Sequence, residues 1–240
     1  MSGPVRRPSP IALATYADAA ALARALAAHV AEALRARIAR DGTASLAVSG
    51  GRTPVRFLEA LSGAPIDWSR VAVTLVDERW VPESSERSNA ALVRRHLLDG
   101  PAAAARFVPL YTGDPTPEAG LAAAEARITS LPAPFSAVVL GMGDDGHTAS
   151  FFPGAEALAD AIDPAATAPL VAVRAEAAGE PRITFTLPRL VSADTLLLHI
   201  EGMGKRAVLE RACAPGDVAE LPIRAVLDNA RAPLDVLWCP

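Results

Sequence analysis

Apolar positions along this chain follow two rhythms, short unbroken runs and longer stretches with an apolar residue every fourth position. Leu22, Leu26, Val30, Leu34 and Ile38 form one such stripe, with Arg24, Glu32, Arg35 and Arg37 off it. The spacing predicts a helix over 17–39, closed by Asp41-Gly42. PIALAT (10–15) reads as a first edge strand and Ser45 to Val48 as a short apolar strand. SGGRTP (49–54) is a turn, and Pro54 suits the first turn of a helix reaching about Leu61. Val71 to Val76 alternates less than a half-exposed strand would, which suits a buried parallel strand. DERWVPESSERSN (77–89) reads as a polar loop, Asn89 to Leu98 as a helix and Phe107 to Tyr111 as a strand. An amphipathic helix over 117–130 and a buried strand near 136–140 follow. Further on, 169–174, 182–186, Thr195 to Ile200 and Leu234 to Trp238 read as strands. Leu187 to Val191 reads as a short helix or turn around Pro188, and Lys205 to Ala212 as a helix. Strand–helix alternation over the whole length predicts an α/β fold of three layers, α/β/α, around a mostly parallel sheet. No repeat, linker or composition break divides it, so 1–240 is read as one domain. Ligands then belong at the carboxyl ends of the strands.

Composition narrows the function classes. Hydrophobic residues make up 51% and charged residues 21% of the 240, which argues against disorder. A formal net charge of -4 gives no general attraction to nucleic acid or to an anionic membrane, while leaving room for a local basic pocket around a small anion. No apolar run is long enough to span a membrane. MSGPVRRPSP carries two arginines without the apolar core of a signal sequence, so the expected compartment is the cytoplasm. Cys213 and Cys239 lack metal-ligand spacing and read as packing residues of a reduced compartment.

The most informative stretch is VVLGMGDDGHTASFFPG (138–154). An apolar strand ends in Gly141 and Gly143, and Asp144, Asp145 and His147 follow at once. A histidine beside carboxylates on a glycine turn, at a strand's carboxyl end, is placed for proton transfer. The other histidines differ: His29 and His96 fall in arginine-rich helices and read as surface residues, and His199 lies in an apolar strand as a packed or hydrogen-bonded group. One histidine with two adjacent aspartates has no recognisable zinc or calcium spacing. No G-x-S-x-G elbow suggests a serine hydrolase.

Three further segments carry candidate chemistry. In SGGRTP, Gly50 and Gly51 allow close backbone approach, and N–H groups of the turn and next helix can hold a phosphate. Ser49 and Thr53 offer hydroxyls, and Arg52 either adds charge or points to solvent. The same residues also suit a plain strand-to-helix turn. In DERW, Arg79 can bind a phosphate or a developing oxyanion, or form a structural ion pair that pins the long loop. Asn89 suits a helix start as well as a ligand contact, and Arg87 and Ser88 share that ambiguity. Arg182 begins a strand, either as a surface cap or as a ligand contact. Lys205 stands at a helix start, against the helix dipole, which favours an anion there.

Taken in order, SGGRTP, DERWVPESSERSN, GMGDDGHTASFFPG, RITFTLPRL and GKRAVLERA resemble the 6-phosphogluconolactonases from about residue 10 to the end of the sequence. SGGxTP is shared with the related glucosamine-6-phosphate deaminases, which usually carry Asn-Glu-Pro after DGH. Here Ser150-Phe151-Phe152-Pro153-Gly154 stands instead. Arg52 departs from the serine frequent in the family, a small change if the loop binds through its backbone. The resemblance implies a Rossmann-like sheet of the sugar-phosphate deaminase/isomerase type. It implies hydrolysis of 6-phospho-D-glucono-1,5-lactone in the oxidative pentose phosphate pathway, with no metal or organic cofactor. On that reading His147 is the base, Asp145 or Asp144 supports it, and Arg79 acts at the reacting end or on the phosphate. Ser49, Gly50, Gly51, Arg52, Thr53, Asp77, Asn89, Gly143, Arg182 and Lys205 make up the substrate and phosphate cradle. The expected partner is one small sugar-phosphate lactone, with neither nucleic acid nor membrane, for a monomer or small homo-oligomer. Two other readings stay open: a deaminase or aldose–ketose isomerase using Asp77 or Asp145, and a non-catalytic sugar-phosphate sensor. Such sensors carry a DNA-binding segment, and the ten or so residues before the first element are too few for a helix-turn-helix.

Overall fold

Three of the apolar runs lie side by side at the centre of the molecule, buried at every position: β2 (Ala44–Val48), β3 (Val71–Leu75) and a strand at Ala137–Leu140. The computed structural model describes residues 11–231 and 234–240. Before β2 come β1 (Ile11–Thr15) and α1 (Ala19–Asp41), and α2 (Val55–Ser62) separates β2 from β3. After β3 come β4 (Asp77–Arg79), α3 (Asn89–His96), β5 (Arg106–Phe107) and α4 (Pro117–Ile128). The central strand at 137–140 is β6, followed by α5 (Leu158–Ile162), β7 (Leu170–Val173), β8 (Arg182–Phe185) and α6 (Leu187–Val191). The last elements are β9 (Thr195–Glu201), α7 (Met203–Cys213), α8 (Ile223–Asn229) and β10 (Leu234–Cys239).

Seven strands form one sheet in the order β1-β10-β9-β6-β2-β3-β5, every pair parallel. Helices flank it, giving the three-layer α/β/α arrangement. Strands covered on both faces need apolar side chains on both: Leu46, Val48, Val73 and Leu75 are all 0% exposed, each burial contributing about 1.5–3 kcal/mol. Helix α1 lays Leu22, Leu26, Val30 and Leu34 on this sheet. Asp18 caps its start by accepting from the Ala21 amide at 2.7 Å, and Gly42, at φ 81°, ends it. Arg37, off the predicted stripe, is buried nonetheless, because its guanidinium reaches Asp194 at 2.7 Å.

The strand order fixes where a ligand fits. From β2 the chain steps outward to β3 and β5, then returns to the other side of β2 as β6 and moves away through β9 and β10. The order in which strands are added therefore reverses between β2 and β6, and a crevice opens beyond the carboxyl ends of strands whose connections part in this way.

Several expectations need correction. The segment 77–89 is not loop throughout: Asp77–Arg79 form β4, antiparallel to β8, with β7 on the far side of β8 in a separate three-stranded sheet. Hence β7 and β8 lie outside the parallel sheet. Their apolar runs report burial, which is blind to strand direction. The strand expected at 107–111 shrinks to Arg106–Phe107, since Pro109 has no N–H to continue the ladder. Helix α7 starts at Met203, placing Lys205 inside its first turn, and α5 and α8 were not anticipated. Cys213 is exposed, and only Cys239 packs inside. Pro10, with the rest of MSGPVRRPSP, lies outside the described residues. Among the described residues no helix is long and apolar enough to cross a membrane.

Candidate active site

Two loops leave the sheet where the strand order reverses, residues 49–54 after β2 and 141–147 after β6. Ser49 joins them. Its amide donates to the Val139 carbonyl at 3.0 Å, its hydroxyl donates to the same oxygen at 2.9 Å, and the Gly141 amide donates to that hydroxyl at 2.9 Å. The hydroxyl hydrogen is thus engaged within the protein, and Ser49 acts here as a stitch between loops. Gly50 lies against Asn89, the first residue of α3. A Cβ on Gly50 would stand 1.8 Å from Asn89 Oδ1, so only glycine admits that side chain. Asn89 Nδ2 in turn donates to the Asp77 carbonyl at 3.0 Å, tying α3 to β4.

The second loop folds back on itself: the Gly143 amide donates to the His147 carbonyl at 2.9 Å. Asp145 Oδ1 lies 2.6 Å from His147 Nδ1 and accepts the His147 amide at 3.1 Å. A carboxylate only accepts, so this contact fixes the ring proton on Nδ1 and leaves the lone pair on Nε2. Nε2 has no hydrogen bond among the described residues. Partial burial opposes ionisation of Asp145, but the hydrogen bond and charge of His147 outweigh it and hold the carboxyl below its usual range. Asp144 is exposed, and its side chain makes no hydrogen bond or ion pair among the described residues, so Asp145 is the partner of His147. The imidazole also lies on Phe152, ring centroids 4.4 Å apart. A Cβ on Gly143 would stand 2.3 Å from the His147 ring, so the glycine makes room for it. Ala149, two residues on, holds a left-handed φ of 49°, a conformation costly for a residue with a Cβ.

The small sheet supplies the third wall. Buried Asp77 accepts from the Ser150 hydroxyl at 2.6 Å and lies 3.5 Å from Arg182 Nη1. Arg182 is buried, not a surface cap. Its Nη2 donates to the Ala178 carbonyl at 2.9 Å, its guanidinium lies over Phe152, and its Nε has no partner among the described residues. Burial pulls the Arg182 pKa down and neighbouring Arg79 adds to this, while Asp77 opposes it. Arg79 Nη1 donates to the Arg87 carbonyl.

These walls enclose a cleft of about 280 Å³. Ser49, Gly50, Gly51, Arg52, Thr53, Asp77, Arg79, Asn89, Gly143, His147, Arg182 and Lys205 all line it. Asp145 stands behind His147, outside the lining. Arg87 pairs with Glu180 instead, and Ser88 caps α3 by accepting from the Ala91 amide at 3.2 Å. His96 meets Glu59, and His29 is exposed. His199 is hydrogen-bonded as expected, Nε2 lying 3.0 Å from Glu201 Oε1, yet it also lines the cleft. The signal for that was present: His199 and Glu201 share one face of β9 at its carboxyl end. Ser150 carries no local signal because its partner, Asp77, comes from a distant segment, whereas the groups around Glu78 are near in sequence and converge on it only through the folding of the 80–88 excursion. Among the described residues no cluster of three or more His, Cys, Asp or Glu is arranged to hold a metal ion.

Residues 17–238 match the family described as glucosamine-6-phosphate isomerases/6-phosphogluconolactonase. The chain belongs to this family. Within it, the 6-phosphogluconolactonase of Rhizobium meliloti (strain 1021) is 55% identical over 225 residues, 94% of this chain and 97% of that protein. The 6-phosphogluconolactonase of Pseudomonas aeruginosa is 48% identical over 236 residues, 98% of each chain. A crystal structure of a 6-phosphogluconolactonase from Shewanella baltica OS155 superposes with a TM-score of 0.93 at 39% identity, covering 96% of this chain and 98% of that one. The family's two named activities share a scaffold, so the side chains in the cleft have to discriminate between them.

Proposed function

We propose that this chain hydrolyses 6-phospho-D-glucono-1,5-lactone to 6-phospho-D-gluconate, within the oxidative pentose phosphate pathway, in the cytoplasm and without a cofactor. We read 1–240 as one domain built around this site. The observation that carries the proposal is the 2.6 Å Asp145–His147 contact, which presents Nε2 to a cleft bordered by Arg79, Arg182 and Lys205. The names of the relatives agree with it.

In this mechanism neutral His147 takes a proton from water through Nε2 as the water oxygen attacks the lactone carbonyl carbon. The tetrahedral oxyanion forms near Arg79, whose guanidinium stabilises it. The imidazolium, held by Asp145, returns the proton to the ring oxygen as the carbon–oxygen bond breaks. The amides of 50–53, Arg182 and Lys205 hold the phosphate and fix the carbonyl before His147. An activated ester such as a δ-lactone needs no covalent nucleophile.

The test is an assay on fresh 6-phosphogluconolactone, with spontaneous hydrolysis subtracted, for wild type beside His147→Ala. Wild type accelerates hydrolysis and the variant loses that acceleration. Most of the activity surviving in His147→Ala would remove the base from the proposal. Incubation with glucosamine 6-phosphate should release no ammonia, whereas release would favour a deaminase working through Asp77 or Asp145.

A further inference from the structure

Glu78 takes no part in the chemistry above, and it is the residue between two that line the cleft. Its side chain points away from the cleft and is 0% exposed. Oε1 accepts the amides of Arg79 and Asn89, each at 2.8 Å. Oε2 accepts the Ala90 amide at 2.8 Å and the Ser88 hydroxyl at 3.2 Å. One carboxylate therefore holds both ends of the excursion between β4 and α3, and caps the otherwise open amides at the start of α3. Arg79 and Asn89, two of the four groups it holds, are themselves cleft residues.

We propose that Glu78 is a positioning residue for the reaction, setting Arg79 and Asn89 in the cleft by gripping their backbone amides from behind. The proposal rests on the lactonase reading for its activity readout. The physical argument is geometric. Asn89 fits only because Gly50 has no Cβ, so a small movement of α3 brings its side chain against the loop after β2. Arg79 has no ion pair among the described residues, and the Glu78 carboxyl on its amide and the Arg87 carbonyl on its guanidinium set its direction. Displacements near 1 Å at a reacting centre cost about 100-fold in rate. The grip also pins the neck of the 80–88 excursion, so any movement of its tip leaves Arg79 and Asn89 in place.

Glu78→Gln tests this. The amide keeps the shape but turns one acceptor oxygen into a donor facing backbone N–H groups. The expected result is a fall of about 10- to 100-fold in kcat/KM per folded molecule, carried mainly by kcat. The loss should couple to Asn89. Asn89→Ala should cost at least threefold less in the Glu78→Gln background than in wild type, as residues acting through one another do. Unchanged kcat in the folded variant, or additive effects, would overturn the proposal. Should Glu78→Gln not fold, Ser88→Ala removes one of the four bonds, and the same cycle with Asn89→Ala decides on the same criterion. Amide hydrogen exchange serves as a readout free of substrate: Arg79, Asn89 and Ala90 should exchange faster in the variant while β6 stays unchanged. A wild-type chain inactive on the lactone would defeat the lactonase reading alone, and exchange at those amides would then decide the question for Glu78.

Discussion

Arg79 and Arg182 are register partners across β4 and β8, two cations directly opposite each other in an antiparallel pair. Like charges so placed destabilise a sheet. Asp77 offsets part of this, 3.5 Å from Arg182, but among the described residues it is the one acidic side chain lining a cleft that Arg52, Arg79, Arg182 and Lys205 also line. The excess positive charge is what an anionic substrate would neutralise.

An anion should therefore stabilise the protein. Inorganic phosphate or 6-phosphogluconate should raise Tm, by an amount corresponding to about 2.7 kcal/mol when present at 100 times its Kd. Lys205→Ala should shrink that shift and raise KM about tenfold with little change in kcat, because it holds a group that does not react. Arg182→Ala should also act mainly on KM. A fall in kcat alone, for either variant, would place these side chains at the reacting end.

The carboxylate next to His147 gives a sharper contrast. Removing the imidazole in His147→Ala should lower kcat by about 10²- to 10⁴-fold. Asp145→Asn should lower kcat at least tenfold, since an amide can donate to Nδ1 and move the lone pair away from Nε2. Asp144→Asn should be near wild type, because that side chain makes no contact among the described residues. Equal losses for the two aspartates would contradict the orientation described above.

Two glycines should resist even alanine. At Gly143 a methyl would lie 2.3 Å from the His147 ring, and at Gly50 it would lie 1.8 Å from Asn89 Oδ1. Each substitution should destabilise the fold by about 1–3 kcal/mol through overpacking, and activity should fall further than stability does. Urea unfolding and kcat on the same samples separate the two effects.

The pH dependence of stability should carry a mark of Glu78. Burial pushes its carboxyl from 4.5 up to about 7, against the pull of the amides of Asn89, Ala90 and Arg79. A raised carboxyl pKa means that the folded state holds a proton the unfolded chain has released. Its contribution is full below about pH 4.5 and is lost as pH rises through 7, worth about 3 kcal/mol in all. Denaturant unfolding at pH 5 and pH 8 should show wild type losing more stability on that rise than Glu78→Gln. Equal losses would show that Glu78 titrates near its ordinary value. Asp145 runs the other way: its lowered pKa gives a contribution present at neutral pH and lost in acid.

Local pattern was enough to place most of the strands, because a buried strand must be apolar and a glycine turn must end it. It was also enough to single out His147 on its glycine turn and the 49–54 loop, since backbone turns and nearby carboxylates are written in adjacent residues. Partnership was not legible. The antiparallel β4–β8 pairing joins residues about a hundred positions apart, and direction leaves no trace in composition. For the same reason Arg182 reads from its spacing as free to sit at the surface, and nothing near Ser150 in the chain points to its contact with Asp77. Spacing along the chain decides which side chains are available. The packing of distant segments decides which of them meet, which are sealed from water, and therefore which charge or lone pair is left facing the cleft.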